Sequence, residues 1–503
     1  MHIRRIALLA RSETRFFMLA VARELKARLG CEIFLYCSGP QEAAFYGGEN
    51  ADRVFADIVD ADILLLNARR KELPLSEAEI VARAAAYERR TGTTMNMIAV
   101  SNRHLGRGYA LGGYHHPRSR ASEEVDYLHM LFGYGEVLAF WEHELSSKRI
   151  DLVINGNKET AMICRLLGIR FRSMGTSRYR NYQNWAWNEY FETPEFRQAF
   201  ETGEGKGEGA LEKPYLGHTA HRELYLKRMG TWSLARNLAL TVARHAWWRL
   251  RGYRKGRNYY LLGELAYFVR TWAQWRDLRR RARTRLRDLD GKRFVYYPLH
   301  IEPETALQGI SPEYFYQLSL IAAVSRDLPA GVLLAVKEFY SATGRRPRDF
   351  YGQIAEFKNV VLLETFEVGM ECAQRSDAVV TICGTAGLEA AAAGKPVIAF
   401  GRRNLYNFLP NVTVVRDEIE LKDHLRRALE APPNADTVRA HAARLLRAIA
   451  ARSFDMGTYH YSRLRDFTPE AVADACDKLI AGLGAESQGL KLADVSAWRA
   501  AAQ

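Results

Sequence analysis

The chain has 503 residues, 48% of them hydrophobic and 26% charged, with a formal net charge of +14 at pH 7. That length exceeds one ordinary core and that composition excludes a disordered chain, so two α/β domains with accessory helices are expected. The excess of positive charge calls for an anionic partner: membrane lipid, nucleic acid, or an acidic glycan or nucleotide substrate.

Ile3–Ala10 reads as a first strand. Arg11 and Glu13 follow it directly, so the apolar run is too brief for a secretory leader. No window approaches the roughly 20 apolar residues of a spanning helix, and a soluble or membrane-peripheral protein is expected. Cys31, Cys37, Cys164, Cys372, Cys383 and Cys476 are scattered without metal-ligand or disulfide spacing. They read as small buried thiols in a protein of the reducing cytoplasm.

Thr14–Leu29 shows apolar residues at helical spacing and Gly30 stops it. Glu32–Cys37 and Ile63–Leu66 read as the next strands, Ser76–Arg90 as a helix and Met97–Val100 as a strand. Ser101–Arg120 is too rich in Gly, Arg and His for a helix, and a long loop of this kind is usually functional. Val125–Ser147 is a helix, Asp151–Asn155 a buried strand, Lys158–Leu167 a helix ended by Gly168, and Ile169–Met174 a strand. This rhythm opens a doubly wound sheet and closes a first domain at 1–190.

The segment 191–290 reads as a linker and a helical insert. Its Gly-rich stretch Glu201–Gly209 is not a phosphate loop, because no Ser or Thr follows Lys206 and no strand precedes it. Beyond it, arginines cluster at 244–257 and 276–287, with Trp232, Trp247, Trp248, Trp272 and Trp275 interleaved. Two readings stand: a solvated helix pair with buried aromatics, or a face peripheral to an anionic membrane. No nucleic-acid signature accompanies the charge, so no nucleic-acid partner is expected. The triplets Asp60-Ala-Asp62 and Asp288-Leu-Asp290 lie away from strand carboxyl ends and read as solvated surface. No metal site and no cofactor are expected.

A second α/β domain spans 291–430, with helices from 431 to 503 after it. Ala378–Cys383 reads as a strand, Gly384 as a tight turn, and Thr385 as the cap of a helix beginning near Ala386 and ended by Gly394. A helix start just past a parallel strand offers free N–H groups and a partial positive charge to a phosphate. Glu389, one turn inside, is placed to reach a ribose hydroxyl pair. The chemistry suggested is nucleotide-sugar binding.

Three motifs in order, FVYYPLHIEPE at 294–304, LLAVKE at 333–338, and GTAGLEA with GKPVIAFG between 384 and 401, resemble the bacterial capsule polysaccharide biosynthesis proteins. That family includes retaining Kdo transferases that use CMP-Kdo. The resemblance implies a GT-B-like α/β fold: two Rossmann-like domains facing a cleft, here with a basic helical insert. It implies a metal-independent glycosyltransferase of capsule or surface polysaccharide assembly, moving a sugar, Kdo from CMP-Kdo, to a lipid-linked glycan. The donor, CMP- or UDP-linked, would be held by Gly384, Thr385, Ala386, Glu389, Lys337, Glu338 and Glu302, with His300 beside it as a catalytic candidate. Where family members follow Lys-Glu with His-Pro, Phe339 and Tyr340 stand here, leaving Tyr340 or His300 as the substitute hydrogen-bond donor. In the first domain, Glu13 and Glu159 follow strand carboxyl ends and are the candidate carboxylates. Arg103, His115, His116 and Arg178 are candidates for an acidic acceptor. Two alternatives stay open, a nucleotide-sugar 2-epimerase and a catalytically silent scaffold of the capsule machinery. The expected location is cytoplasmic, peripheral to the inner membrane.

Overall fold

Short apolar runs alternating with helices resolve into two predominantly parallel sheets, one in each of two units. The computed structural model describes residues 3–100, 102, 125–207, 209–210, 223, 225–252, 260–301, 306–314, 316–459 and 464–492. One unit comprises Met1–Ile98, Val125–Gly209 and Arg444–Gln503; the other comprises Ala99–Glu124 and Ala210–Ala443.

In the first unit β1 (Arg5–Leu9), β2 (Glu32–Cys37), β3 (Phe55–Asp60), β4 (Leu152–Ile154) and β5 (Arg170–Thr176) run parallel in the order β3-β2-β1-β4-β5. The antiparallel β6 (Tyr182–Ala186) and β13 (Phe454–Asp455) extend the β5 edge. Ile6, Ala7 and Leu8 are buried because helices cover both faces, which is why the central strands read as continuous apolar runs. The helix Arg15–Leu29 stops at Gly30, whose φ of 61° suits the left-handed region, and its N–H closes on the Lys26 carbonyl at 2.9 Å.

Three expectations change here. Ile63–Leu66 belongs to a helix, Ile63–Ala68, and Met97–Val100 overlaps another, Met95–Ala99; the third strand is Phe55–Asp60. A four-residue apolar run does not distinguish helix from strand, and β3 carries mostly exposed or half-buried residues at the sheet edge, so its signal is weak. The division at 190 and 431 also differs from the observed units. The helix Pro469–Ser487 buries Val472, Ala475, Cys476, Leu479 and Leu483 among Ile6, Phe17, Val21 and Leu25 of the first unit. Trp185 donates its indole N–H to the Ala475 carbonyl at 2.8 Å.

In the second unit β7 (Arg293–Pro298), β8 (Val332–Lys337), β9 (Val360–Leu363), β10 (Ala378–Thr381), β11 (Val397–Ala399) and β12 (Val412–Val414) are all parallel. Their order, β9-β8-β7-β10-β11-β12, is that of a dinucleotide-binding Rossmann sheet. In both units the strand order reverses beside the first strand, between β1 and β4 and between β7 and β10. Open α/β sheets bind ligands outside the strand carboxyl ends at that reversal. The basic insert is a pair of helices, Thr231–Leu250 and Leu261–Arg281, in the second unit. All six cysteines are buried. Among the described residues no helix is long and apolar enough to cross a membrane.

Candidate functional site

The reversal point of the second unit is built from the ends of β7 and β10. Past β7 the chain runs through Leu299, whose N–H donates to the Lys337 carbonyl at 2.9 Å, to His300. The His300 ring accepts at Nε2 from the Cys383 N–H at 3.1 Å, so one side chain ties the two strand ends together. A neutral ring bonded this way carries its proton on Nδ1. The Gly384 N–H donates to Thr381 Oγ1 at 3.2 Å. A Cβ at 384 would lie 3.0 Å from that oxygen and 3.2 Å from His300 Nε2, so the closeness of the two strand ends favours glycine.

The helix that follows is Thr385–Ala392, and its N-cap is Gly384 rather than Thr385, which is the first helical residue and exposed. No side chain caps it. The Gly387 N–H donates to the Gly384 carbonyl at 3.2 Å, while those of Thr385 and Ala386, at the helix start, have no intrahelical acceptor and suit a ligand. The Tyr406 hydroxyl donates to the Gly384 carbonyl at 2.9 Å and fixes the turn from behind.

Two ionisable groups border this turn. Lys337 ends β8 and is buried; burial pushes its pKa down, opposed by Cys372, Glu338, Glu367 and Glu389 in that order. Burial pushes the Glu389 carboxyl up, and the Lys337 charge pulls it back. The Tyr296 phenol, buried beneath them, is raised well above its ordinary value by burial first and then by Cys372 and Glu389. A lysine and a carboxyl that burial drives toward neutrality, at a sheet reversal point, are the pattern of a ligand site.

Glu338 does not face that site. It is wholly buried and accepts from Arg346 Nε at 2.7 Å and Nη2 at 2.9 Å, from the Tyr351 hydroxyl at 2.9 Å and from the Phe339 N–H at 2.8 Å. Arg346 also donates to the His300 carbonyl at 2.7 Å. Gln317 accepts from the His300 N–H at 2.7 Å and returns a bond to its carbonyl at 2.9 Å. Glu338 therefore holds Arg346, and Arg346 with Gln317 holds the backbone of His300. Tyr340 likewise packs inward, near parallel to the Phe366 ring with centroids 6.1 Å apart, while Phe339 is exposed.

In the first unit Glu13 lies exposed in the turn Ser12–Thr14 after β1. Glu159 lies in the first turn of the helix Lys158–Leu167 after β4, capped by Asn157, whose Oδ1 accepts from the Thr160 N–H at 3.0 Å. Glu159 is buried, and burial raises its pKa. The two carboxyls thus flank the reversal point of their own sheet. Arg11 beside them donates to the Met174 carbonyl at 3.1 Å and Ser173 Oγ at 2.9 Å. Arg178 sits past β5, half-exposed, with a φ of 58°. Arg103, His115, His116 and Glu302 lie outside the described residues. Contrary to the sequence reading, Asp60 ends β3 and so lies at a strand carboxyl end, because the real strand precedes the triplet. Its carboxylate nonetheless accepts from the N–H groups of Gly39 at 2.9 Å and Asp62 at 3.1 Å, and Asp288 accepts from that of Arg285 at 2.8 Å, so both triplets hold backbone turns.

Residues 232–440, under half of the chain, match the family model described as capsule polysaccharide biosynthesis protein. This stretch includes the whole second sheet, and it bears out the resemblance read from the sequence motifs. No curated protein matches the chain. Among solved structures it is similar to KpsC, a beta Kdo 2,7 transferase of Thermosulfurimonas dismutans, at 13% identity over 67% of this chain and 88% of that one, with a TM-score of 0.30. It is also similar to CalG4, the calicheamicin glycosyltransferase, at 15% identity over 97% and 100% of the two chains with a TM-score of 0.26. The UDP complex of MnaA from S. aureus matches at 9% identity over 89% and 92%, with a TM-score of 0.25.

Proposed function

Starting from the capsule polysaccharide biosynthesis family match over residues 232–440, we propose that this protein is a GT-B glycosyltransferase of capsule or surface polysaccharide assembly. The observation that carries the reading is the uncapped helix start at Thr385 beside the β7/β10 reversal. In this reading the donor phosphate rests on the Thr385 and Ala386 N–H groups, with Gly384 allowing its close approach. His300, held from behind by Arg346 and Gln317, orients the turn. Lys337 offsets the charge that develops on the leaving phosphate, and with the helix amides it does the work a metal ion does in other transferases. Glu389 receives the ribose hydroxyls.

The first unit supplies the carboxylate chemistry. Glu159, whose pKa burial raises, suits proton transfer, and Glu13 is the exposed second carboxyl. Arg178, with Arg103, His115 and His116, would receive an acidic acceptor. The motif resemblance names Kdo from CMP-Kdo as the donor, and the acceptor a glycan on a lipid carrier. The protein would then work in the cytoplasm at the inner membrane surface.

Titration calorimetry with CMP, UDP and their sugars, followed by donor turnover with and without acceptor glycan, tests this. Transfer that requires acceptor supports it. Free rearranged sugar without acceptor makes the protein a 2-epimerase, in which helix-borne Glu389 would be the reactive group. No nucleotide binding at all leaves a scaffold. Glu389→Ala is expected to weaken nucleotide binding by about 1–3 kcal/mol through loss of a charge-assisted hydrogen bond.

A further inference from the structure

The helix Thr231–Leu250 buries only Thr241 among its 20 residues. It nevertheless carries Trp232, exposed to 90%, Trp247 to 51% and Leu250 to 84%. Leu262, at the start of the next helix, is exposed to 78%. A soluble helix normally buries one apolar stripe; one that is apolar on its open side marks an interaction surface.

The two helices hold each other through Glu264, which pairs with His245 at 2.5 Å and Arg244 at 3.1 Å. Among the described residues, the second helix is anchored on the sheet's surroundings toward its far end. Trp275 packs on Tyr225 and Phe366, and Gln274 donates to the Arg346 carbonyl and accepts from the Gly344 N–H, each at 2.8 Å. Leu262 is 13 residues from Trp275, about 20 Å along a helix. The end bearing Trp247, Leu250, Arg251 and Leu262 thus stands well beyond that anchor.

Charge selects the occupant. The first helix contains Arg236, Arg244 and Arg249 and no Asp or Glu. Arg251 lies 4.5 Å over the Trp247 ring and Arg244 5.0 Å over Trp248, so cation and indole present together. A second copy of a chain with net charge +14 would meet this end with repulsion. The most exposed side chains of the tip, Leu250 and Leu262, are aliphatic, and no nucleic-acid signature accompanies the charge. Aliphatic residues that insert, indoles at headgroup depth and arginines beside them match an anionic bilayer surface.

We propose that the tip of this helix pair, at Trp247, Leu250, Arg251 and Leu262, docks the protein on anionic phospholipid. The proposal takes from the transferase reading only the reason a membrane is needed. The full chain is sedimented with vesicles of phosphatidylcholine alone and of phosphatidylcholine mixed with phosphatidylglycerol, at low and high salt. Binding is expected to the mixed vesicles and to fall steeply with salt. The combined variant Trp247→Ala, Leu250→Ala, Leu262→Ala is expected to lose at least tenfold in vesicle affinity, with its thermal midpoint and nucleotide binding unchanged. Arg249→Glu with Arg251→Glu should abolish the preference for phosphatidylglycerol. Equal binding to both vesicles, a triple variant that sediments like the parent, or self-association that the triple variant removes would each overturn the proposal. Vesicle binding without nucleotide binding would instead remove the transferase reading and leave the docking tip standing.

Discussion

Glu195 is a buried carboxyl with one oxygen satisfied. Its Oε1 accepts from the Trp187 indole at 2.7 Å, while Oε2 has no hydrogen-bond partner among the described residues. Burial raises its pKa; its own backbone, Trp187, Arg172 and Arg452 oppose the rise. The native state therefore keeps the proton to higher pH than the unfolded chain does, and stability declines as pH rises from the unfolded value through the native one. Glu195→Gln is expected to melt higher than the parent at pH 7, with the difference closing below about pH 4, where both forms of the parent are protonated. Melting curves of the two proteins across that range check it. Glu338 is the opposite case, a charge whose partners are all present. Glu338→Ala strands Arg346 in the interior and should cost about 3–5 kcal/mol in denaturant unfolding. The same residues show what was legible at this scale. The places of Lys337, His300 and Glu389, at a strand end, just past a strand and one turn into a helix, were readable from the strand and helix signals. The inward turn of Glu338 was not, because its cause, Arg346, sits in a polar turn with no local signature.

At the scale of elements the β10 turn and its helix depend on small residues. A Cβ at Gly387 would stand 2.2 Å from the Tyr406 hydroxyl and 2.9 Å from Thr381 Cγ2. Gly387→Ala is therefore expected to destabilise by about 1–3 kcal/mol, as overpacking does. Shortening the opposing ring, as in Tyr406→Ala, should make the same change less harmful, which a double-mutant cycle measures. Strand-turn-helix units such as Ala378–Ala392 were legible because Gly, Ala and Val alternate with clear stops. The stretch 55–68 was not: its real strand is a polar sheet edge and its apolar run is a short helix. Likewise Thr385 looked like a cap by residue type, but Gly384 holds that position because the chain must pass close to His300.

At the scale of the molecule, two α/β halves were legible from strand–helix rhythm and their Rossmann-like form from the motif resemblance, whereas the unit to which residues 444–503 belong was not. Nothing local tells the helix Pro469–Ser487 to pack beside Phe17 and Leu25; only the apolar face left open by the first sheet does. If the second unit holds the donor, saturating CMP or UDP should raise the thermal midpoint by mass action, the added stability being about 2.7 kcal/mol at 100 times Kd. A differential scan with each nucleotide reads this directly, and no shift with any of them would empty the proposed site.

The interleaving of the units also sets an order of events during synthesis. The β7–β12 sheet lies within one stretch, Ala210–Ala443, that emerges from the ribosome before Arg444–Gln503 exists. The sheet that emerges first is thus the last to finish its core. At about 5–20 residues per second it waits tens of seconds with Phe17 and Leu25 lacking the cover of the helix Pro469–Ser487.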